Sequence, residues 1–422
     1  MSALTGQGLP EVRRSFGLAA GKRVPAMPLR VLFFHWNGDL YGASRSLLRL
    51  TSRLVEEGHS PVVVLGMHGP LASELCRNSV EVRHSRWMAA IERSSLGSVW
   101  GLVRLLLRVL VSLPEHAMLM AREKPDLVHT NASVILTSGL VARLMRLPHV
   151  WHIRETFSDH PRLWQIYRTI IPRLSQRIVC ISECVAQQFD DSVRASQVSV
   201  IHNGIPSSEV GPLSRDRVAD LREQWGLTGS TTVGVVGRIN LARKGQDLLV
   251  RAADELAESR VNVRYLFVGS PYPGKEDEEL RLRAMVRELG LEEKFVFAGQ
   301  IRDLAVIYGL LDIVVVPSPV PEPFGNTAPE AMAFGCAVVG SDQGGTAEIV
   351  EHGKTGLLFP PGDAKALGAC LDFLLGDPAA RSEITAAGRA AFRQRFEFDQ
   401  CYQRIEDVFT AAAMSRNRKR VA

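Results

Sequence analysis

The chain has 422 residues, enough for two or three domains, and its 46% hydrophobic and 23% charged content is ordinary for a globular protein with a full core. Its six cysteines are scattered, which argues against a disulfide scaffold and fits a reducing cytosol. The formal net charge of +5 suits an anionic membrane or a nucleic acid. Nucleic-acid binding is disfavoured, because the basic residues are dispersed and form no stripe with aromatic ones.

We interpret residues 1–28 as a flexible leader, because no apolar segment follows Lys22 and Arg23 and a secretory signal is therefore excluded. From residue 29 onwards, short apolar stretches rich in β-branched residues alternate with helical patterns. This alternation predicts an α/β domain built on a parallel, doubly wound sheet. The predicted strands of the first half span residues 30–35, 61–65, 126–130, 150–153, 177–182 and 198–202.

The loop after the first strand contains Gly38 and Gly42, which do not form the Gly-x-Gly-x-x-Gly motif of dinucleotide-binding proteins. The second predicted strand does not end in an acidic residue either, so NAD binding is disfavoured. Taken alone, this loop is interpreted as a tight turn.

A helix predicted over residues 98–113 is almost wholly apolar and is interrupted by Arg104 and Arg108. It is too short and too charged to span a bilayer. The arginines are four positions apart, so they share one face of the helix. Two interpretations remain open: a helix that covers the sheet and extends its arginines into solvent, which is favoured, and insertion into an anionic membrane surface.

Polar side chains stand at the end of the strand predicted over residues 150–153, where open α/β sheets bind their ligands. His152 lies at this strand end, although a histidine in such a position is more often structural. Arg154 and Glu155 are predicted to face the same cleft, where they would either pair with each other or hold an acceptor.

We assign residues 29–206 to a first domain and residues 207–396 to a second one, in which strands and helices alternate again. The rest of the chain is helical by periodicity up to residue 414, and a basic tail follows at residues 416–422. The predicted strands of the second domain span residues 232–238, 264–268, 295–298, 312–316 and 337–340.

Two cations follow the first strand of the second domain. Arg238 ends that strand, and Lys244 comes shortly before the next helix. Arginine binds phosphates by planar multi-point bonding and lysine as a mobile point charge, so this turn suits a pyrophosphate. We predict no metal site, because no Asp-x-Asp pair stands at a strand end and the close pair Cys180 and Cys184 has no histidine beside it. The two cations would replace a metal in stabilising departing negative charge.

The most informative stretch runs from Glu322 to Glu330 and follows a buried apolar strand. Prolines keep the loop extended, Thr327 is predicted to cap a helix, and Gly335 is predicted to end it. Backbone N–H groups at such a helix start bind anions, and two carboxylates in the same cleft bind hydroxyls. The stretch therefore predicts a site for a phosphorylated sugar. The amides concerned belong to Gly325, Asn326 and Thr327.

The two glutamates, with Pro-Phe-Gly after Glu322 and a glycine-rich turn after the next strand, form a pattern that resembles the donor-site signature of retaining GT-B glycosyltransferases of family 4. The resemblance covers roughly residues 29–410 and is stronger in the second domain. It implies two Rossmann-like domains that face each other across a cleft, with a helix at about residues 397–415 crossing back onto the first domain. The proline-rich loop at residues 319–323 departs from the family pattern and leaves the shape of the sugar pocket open.

The resemblance also implies roles for individual residues. It assigns His152 and Glu322 to the transferred sugar and Glu330 to the ribose. It assigns Arg238 and Lys244 to the diphosphate, and these two cations form the implied catalytic set together with His152 and Glu322. The implied donor-binding set comprises Gly42, Ala43, Arg238, Lys244, Ile301, Glu322, Phe324, Gly325, Asn326, Thr327 and Glu330.

The implied reaction moves a sugar from a nucleotide-diphosphate sugar to a hydroxyl of a glycan or a lipid-linked acceptor, with the anomeric configuration retained and without a metal or other cofactor. The implied setting is synthesis of a cell-surface polysaccharide or glycolipid, in the cytoplasm or at the inner face of the cell membrane, with an anionic membrane surface as a further partner. Two other interpretations stay open: a non-catalytic protein that binds nucleotide sugars, and an epimerase that acts on them.

Overall fold

The computed structural model describes residues 28–91, 99–157, 161–211, 215–257, 262–301 and 303–421. The expected leader at residues 1–28 lies outside these ranges except for its last residue, and so do the side chains of the expected basic tail. The described chain folds into two α/β domains, each built on a fully parallel sheet whose strands alternate with helices along the chain. The predicted fold class is therefore confirmed.

Seven parallel strands form the first sheet: β1 (Arg30–His35), β2 (Ser60–Leu65), β3 (Glu81–His84), β4 (Leu127–Thr130), β5 (His149–Ile153), β6 (Arg177–Cys180) and β7 (Val198–Val200). Their order is β3-β2-β1-β4-β5-β6-β7, so the chain reverses direction across the sheet between β1 and β4. The crevice outside the carboxyl ends of these two strands is where such sheets bind ligands. β3 was not predicted, because this short edge strand is polar and half exposed and carries no apolar run.

The helices that alternate with these strands in the described part of the chain are α1 (Gly42–Glu56), α2 (Pro70–Arg77), α3 (Val99–Glu123), α4 (Leu136–Leu144), α5 (Pro161–Leu174), α6 (Glu183–Ala186) and α7 (Asp191–Gln197). The predicted helix at residues 98–113 corresponds to α3, but its predicted end is wrong. The helix continues to Glu123, because Pro114 is accommodated inside it on the exposed side.

Six parallel strands form the second sheet: β8 (Thr231–Val236), β9 (Val263–Val268), β10 (Phe295–Gly299), β11 (Ile313–Val316), β12 (Ala337–Ser341) and β13 (Leu357–Phe359). Their order is β10-β9-β8-β11-β12-β13, so the switch point of this sheet lies between β8 and β11. The two cations predicted to bind a pyrophosphate follow β8, and the stretch with the two glutamates follows β11. Neighbouring strands therefore bring both motifs to the same crevice.

The helices that accompany the second sheet are α8 (Arg215–Gln224), α9 (Leu241–Lys244), α10 (Gln246–Glu255), α11 (Asp277–Glu288), α12 (Leu304–Gly309), α13 (Thr327–Phe334), α14 (Gly344–Ile349), α15 (Ala364–Gly376) and α16 (Pro378–Arg395). The last helix, α17 (Phe398–Val421), returns to the first domain. Its Tyr402 and Phe409 are buried in the same core cluster as Val31 and Phe33 of β1. This burial of large aromatic side chains ties the end of the chain to the first sheet.

The core of the first domain contains histidines that are held neutral. His116 lies on the inner face of α3, with its ring 4.6 Å from the ring of Phe34. Burial lowers the pKa of His116 from 6.5 to about 4. The unfolded chain therefore binds a proton more readily than the folded protein between these two values. The stability that depends on neutral His116 is complete above the higher value and is lost as the pH falls toward the lower one.

Replacing His116 by Phe is expected to flatten the pH dependence of stability by roughly 1.4 kcal/mol per pH unit within this window, because the substitution removes one proton-binding group from the unfolded chain. The measurement is the free energy of urea unfolding of both proteins at several pH values from about 7 to about 5. The remaining buried histidines, including His149 with its pKa of about 4, keep a residual slope in the variant. An unchanged slope in the variant would contradict the expectation.

Candidate active site

A cavity of about 970 Å³ lies between the two domains, outside the carboxyl ends of both sheets. Its volume is at the upper end of the range for small-molecule sites. The first domain contributes residues 39–43, Arg154 and Asn203 to its wall, and the second domain contributes residues around position 240 and the segment 322–327. Both motifs that the sequence singled out in the second domain therefore border one cavity.

The start of α13 lies at this cavity. Gly325 has a φ of 84°, a conformation that favours glycine and turns the loop into the helix. The predicted cap is wrong: Thr327 is the first helical residue, and its hydroxyl donates to the carbonyl of Val236 at 3.3 Å, while Asn326 occupies the cap position. Gly335 ends the helix with a φ of 82°, as predicted. At this helix start the cavity is bordered by Gly325, Asn326 and Thr327. Backbone N–H groups at such a start lack a partner within the helix.

A partly buried ion pair occupies the centre of the site. The Nζ atom of Lys244 lies 2.6 Å from the Oε1 atom of Glu322, and the hydroxyl of Ser318 donates to the same oxygen. Burial alone would raise the pKa of Glu322, but the charge and the hydrogen bond of Lys244, with that of Ser318, outweigh it and lower the pKa. Glu322 is therefore an ionised acceptor of hydrogen bonds at neutral pH.

A tight turn fixes the position of Lys244. The single helical turn α9 is capped by Asn240, whose side chain accepts a hydrogen bond from the backbone N–H of Arg243. Gly245 then takes a left-handed conformation with a φ of 64°. A Cβ atom at Gly245 would lie 2.3 Å from the carbonyl oxygen of Pro317, so only glycine fits. This close approach brings the lysine to the loop that carries its carboxylate partner.

Arg238 lies between two aromatic rings. Its guanidinium carbon is 3.4 Å from the ring centroid of Tyr41 and 3.6 Å from that of Tyr272. Tyr41 belongs to the first domain and Tyr272 to the second, so this cation–π sandwich joins the two walls of the cavity. Sequence reasoning included Tyr41 only as the first residue of the loop with Gly42 and missed Tyr272, although each tyrosine follows the carboxyl end of a strand.

Glu330 lies in the first turn of α13, as predicted, and is 8% exposed. The hydroxyl of Tyr308 donates to its Oε2 atom at 2.8 Å. Burial raises the pKa of Glu330, although the nearby charges of Arg49 and Arg45 and the bond from Tyr308 oppose the shift. Within one cavity, the pKa of Glu322 is therefore lowered and the pKa of Glu330 is raised.

A chain of hydrogen bonds crosses from the first sheet to α13. Arg154 donates from Nε to Oδ1 of Asn131 at 2.9 Å and from Nη1 to Oδ1 of Asn203 at 2.8 Å. Asn203 in turn donates to Oδ1 of Asn326 at 3.1 Å, and the amide of Asn131 lies 3.1 Å from Nδ1 of His35. Sequence reasoning missed Asn131 and Asn203. The signal that was available is a polar residue just after β4 and just after β7.

The structure does not place His152 on the cavity wall. The ring is 2% exposed, lies 5.5 Å from the ring of His129 and is not among the cavity-lining residues of the described chain. Side chains two positions apart share a strand face, so His152 lies beneath Arg154, and it is Arg154 that reaches the cavity. Glu155 does not line the cavity and does not form the alternative ion pair with Arg154. Its Oε2 atom accepts from the hydroxyl of Ser133 at 2.7 Å.

The other members of the implied donor-binding set also border the cavity. A Cβ atom at Gly42 would lie 3.4 Å from the side-chain nitrogen of Asn326, so the loop before α1 approaches the start of α13 closely. Phe324 is almost fully buried, and its ring stacks on that of His202. The set placed around the cavity comprises Gly42, Ala43, Arg238, Lys244, Ile301, Glu322, Phe324, Gly325, Asn326, Thr327 and Glu330.

This arrangement can bind an anion and hydroxyl groups side by side. Amides at a helix start and two cations favour a phosphate, and two carboxylates accept hydrogen bonds from a sugar. The described residues contain no group of three or more His, Cys, Asp or Glu side chains arranged to hold a metal ion. Among the described helices, none combines the length and apolar character needed to cross a bilayer.

Two facing α/β domains that enclose such a cavity define the GT-B class of glycosyltransferases. Residues 41–209 match the family model described as Glycosyltransferase Family 4, and residues 218–391 match the one described as Glycosyl transferases group 1. The chain belongs to the family 4 glycosyltransferases, which confirms the resemblance found in the sequence.

Individual relatives share the fold and part of the sequence. The chain is 28% identical to the lipopolysaccharide 1,2-N-acetylglucosaminetransferase of Salmonella typhimurium over 60% of its own length and 68% of that protein. It is 27% identical to the phosphatidyl-myo-inositol mannosyltransferase of Mycobacterium leprae over 74% of its own length and 88% of that protein. The crystal structure of Anabaena HepE with UDP and glucose has the same fold, with a TM-score of 0.76, 24% identity and coverage of 90% of this chain and 99% of that one.

Replacing Lys244 by Met is expected to raise the pKa of Glu322 and to lower the free energy of unfolding by about 2 kcal/mol, because a buried carboxylate is left without its counter-ion. The double variant Lys244→Met, Glu322→Gln is expected to recover most of that loss. The measurement is urea unfolding at neutral and at acidic pH, where protonation of the carboxyl group should reduce the effect of the single substitution.

The matched control for this prediction is Lys354→Met. Lys354 pairs with Glu351 at 2.8 Å on the surface of the second domain, where both side chains are exposed. Such a pair contributes little, so the control should unfold like the wild-type protein. If Lys244→Met is as stable as this control, the pair at the centre of the cavity does not stabilise the fold.

Proposed function

We propose that this protein is a retaining glycosyltransferase that uses a nucleotide-diphosphate sugar as donor and requires no metal ion or other cofactor. The observation that carries the proposal is the convergence of the start of α13, the Lys244–Glu322 ion pair and the buried Glu330 in one interdomain cavity. The fold that this chain shares with Anabaena HepE, a protein crystallised with UDP-glucose, supports the donor class.

The donor is proposed to lie with its diphosphate at the start of α13, against Lys244 and Arg238. Stacking occupies the two faces of the Arg238 guanidinium and leaves its N–H edge for phosphate oxygens. The loop at Gly42 approaches the phosphates from the opposite domain. Glu322 accepts hydrogen bonds from hydroxyls of the sugar, and Glu330 accepts them from the ribose. The backbone at residue 301 borders the base.

Breaking the bond between the anomeric carbon and the β-phosphate oxygen develops positive charge on the sugar and negative charge on the phosphate. The helix amides and the two cations bind the phosphate more tightly as that charge grows, which lowers the barrier. The acceptor hydroxyl attacks from the face on which the phosphate leaves, and its proton passes to the departing phosphate oxygen. One bond to the anomeric carbon forms and one breaks on the same face, so the configuration is retained.

The acceptor is proposed to be a hydroxyl of a glycan or a lipid-linked sugar used in building the cell envelope. Relatives named for lipopolysaccharide and phosphatidyl-myo-inositol support this class. The acceptor would enter along the first domain, where Arg154 borders the cavity. Glu155 is left out of this role, because its carboxylate is bound to Ser133 beside the cavity.

Incubation with UDP-, GDP- and ADP-sugars is expected to raise the melting temperature with one of the three bases, because a ligand that binds only the folded state stabilises it. With that donor, slow release of the free sugar or transfer to an acceptor should follow, and the product should keep the anomeric configuration of the donor in proton NMR spectra. Addition of EDTA should leave the rate unchanged. An isomerised donor would indicate an epimerase, and binding without any turnover would indicate a non-catalytic protein.

Glu322→Gln and Lys244→Met are expected to lower kcat by about 100-fold or more, because each removes a charged group that contacts the reacting sugar or the leaving phosphate. The matched controls Glu351→Gln and Lys354→Met change the same residue types in the exposed pair and should keep wild-type kcat. Wild-type turnover in Glu322→Gln would refute the assigned role.

We also propose that the enzyme attaches to the surface of an anionic membrane through α3. At about 100° per residue, the exposed apolar side chains of α3 lie opposite the buried face formed by Ser112, His116 and Met120. A helix of a water-soluble surface normally turns polar residues outward, so this outward face is unusual. The exposed apolar residues are Trp100, Val103, Leu106, Leu107, Leu110, Val111 and Met118.

The charged residues of α3 favour a lipid surface as the binding partner of this apolar face. Arg104 and Arg108 are exposed along one edge of the apolar face. The carboxylates of α3 are engaged elsewhere: Glu115 accepts from Ser85 and neighbouring backbone amides, and Glu123 is buried against arginines. An apolar face with a basic edge matches an anionic bilayer, whereas a second copy of the chain would bring two basic edges together.

The double variant Leu107→Glu, Leu110→Glu is expected to abolish co-sedimentation with vesicles that contain phosphatidylglycerol, because it places two carboxylates in the face that enters the lipid. The wild-type protein should bind these vesicles, bind less at high salt, and bind purely zwitterionic vesicles weakly. The matched control is Leu280→Glu, since Leu280 is equally exposed but lies on α11 of the second domain. Wild-type protein that stays in the supernatant with the anionic vesicles would contradict the attachment.

A further inference from the structure

Arg154 is a buried cation without a counter-ion. It is 8% exposed and lines the cavity. Its hydrogen bonds go to the neutral side chains of Asn131 and Asn203, and it forms no ion pair with a carboxylate of the described residues. A guanidinium has more N–H donors than these two bonds use, and the Nη2 atom has no protein partner within the described chain.

The imidazoles packed around Arg154 add no negative charge, and the one nearby carboxylate, that of Glu155, forms no ion pair with the guanidinium. His35, His129 and His152 are buried, and burial together with the charge of Arg154 lowers the pKa of each, that of His35 to about 4. Burial also lowers the pKa of Arg154, to about 10, against the opposing charge of Glu155. At neutral pH the guanidinium is therefore charged and the three imidazoles are neutral.

The lysine of the ion pair in the second domain differs from Arg154, because it has a counter-ion. Lys244 has the carboxylate of Glu322 at 2.6 Å, so its charge is balanced before any ligand binds. The carboxylate nearest to Arg154 in sequence, Glu155, uses its Oε2 atom to accept from Ser133 and from the backbone N–H of Arg154. A buried charge that lacks a counter-ion is costly, and a cation kept in that state at a cavity wall is complementary to an anionic ligand.

We propose that Arg154 is the receptor for an anionic group, a carboxylate or a phosphate, carried by one of the sugar substrates in addition to the donor diphosphate. The inference rests on the proposed glycosyl transfer and specifies its substrate class. The side-chain oxygens of Asn131 and Asn203 accept hydrogen bonds from the guanidinium. Asn203 also donates a hydrogen bond to Asn326 at the start of α13. The anion therefore sits between the first domain and the helix start, beside the diphosphate. It belongs either to an acidic donor sugar or to an acidic or phosphorylated acceptor.

Calorimetry with matched ligands separates these two sources. UDP-glucuronic acid and UDP-glucose differ by a carboxylate on the sugar, so a preference of about tenfold or more for the former places the anion on the donor. Glucuronate and glucose 6-phosphate, compared with glucose on protein saturated with UDP, test the acceptor in the same way. If the donor screen identifies another base, the corresponding pair of donors is used. We expect a preference for the anionic ligand in one of the two comparisons.

Arg154→Gln is expected to abolish that preference while leaving the affinity for UDP alone unchanged, and Arg154→Lys is expected to retain part of it. Arg154→Gln should fold, because it removes an unbalanced buried charge and keeps a side chain that can donate to an asparagine. The control Arg393→Gln changes an exposed arginine of α16 and should keep the wild-type preference.

Two results would overturn the proposal: no preference for the anionic ligand in either comparison, or a loss of UDP affinity in Arg154→Gln as large as the loss for the anionic sugar. The second result would mean that Arg154 binds the diphosphate itself. A protein that binds no nucleotide or nucleotide sugar would refute the proposed function instead. In that case, the binding of glucuronate and of glucose 6-phosphate is measured without nucleotide in the wild-type protein and in Arg154→Gln. A difference between the two proteins still decides whether the anion site exists.

Discussion

The ion pair between Lys244 and Glu322 sets the electrostatics of the cavity. The lysine follows β8 and the glutamate follows β11, and these strands are neighbours in the second sheet. Their contact at 2.6 Å balances two charges that would each be costly alone in this partly buried place. It also connects Lys244 to the loop that leads to α13, whose first residues border the cavity.

The two domains meet around the cavity through contacts that a substrate can modify. Arg238 lies between Tyr41 and Tyr272, one ring from each domain, and Asn203 bonds Asn326 across the cleft. In the proposed binding mode, a diphosphate at the N–H edge of Arg238 would act on this contact between the domains. Donor binding would then be linked to the relative position of the two walls, because one side chain would take part in both.

Much of the fold and of the candidate site could be predicted from the sequence. Buried parallel strands are continuous apolar runs, so most strands were found, and the motif with Glu322 and Glu330 lies at the cavity together with Arg238 and Lys244. The errors have physical causes. The polar edge strand β3 has no apolar run, and α3 accommodates a proline on its exposed side. His152 is absent from the cavity wall because it shares a strand face with Arg154 but lies one step deeper.

The sequence by itself determined the class of fold and the family, because apolar periodicity and the spacing of the motif are local properties of the chain. Only the tertiary structure decided which polar side chains meet. Asn131, Arg154 and Asn203 follow different strands of the first sheet, and their contact depends on the order of those strands. The bond from Asn203 to Asn326 depends in addition on the contact between the two domains. The charge balance of Arg154 was likewise invisible in the sequence, because a counter-ion is defined by distance in space and not by position along the chain.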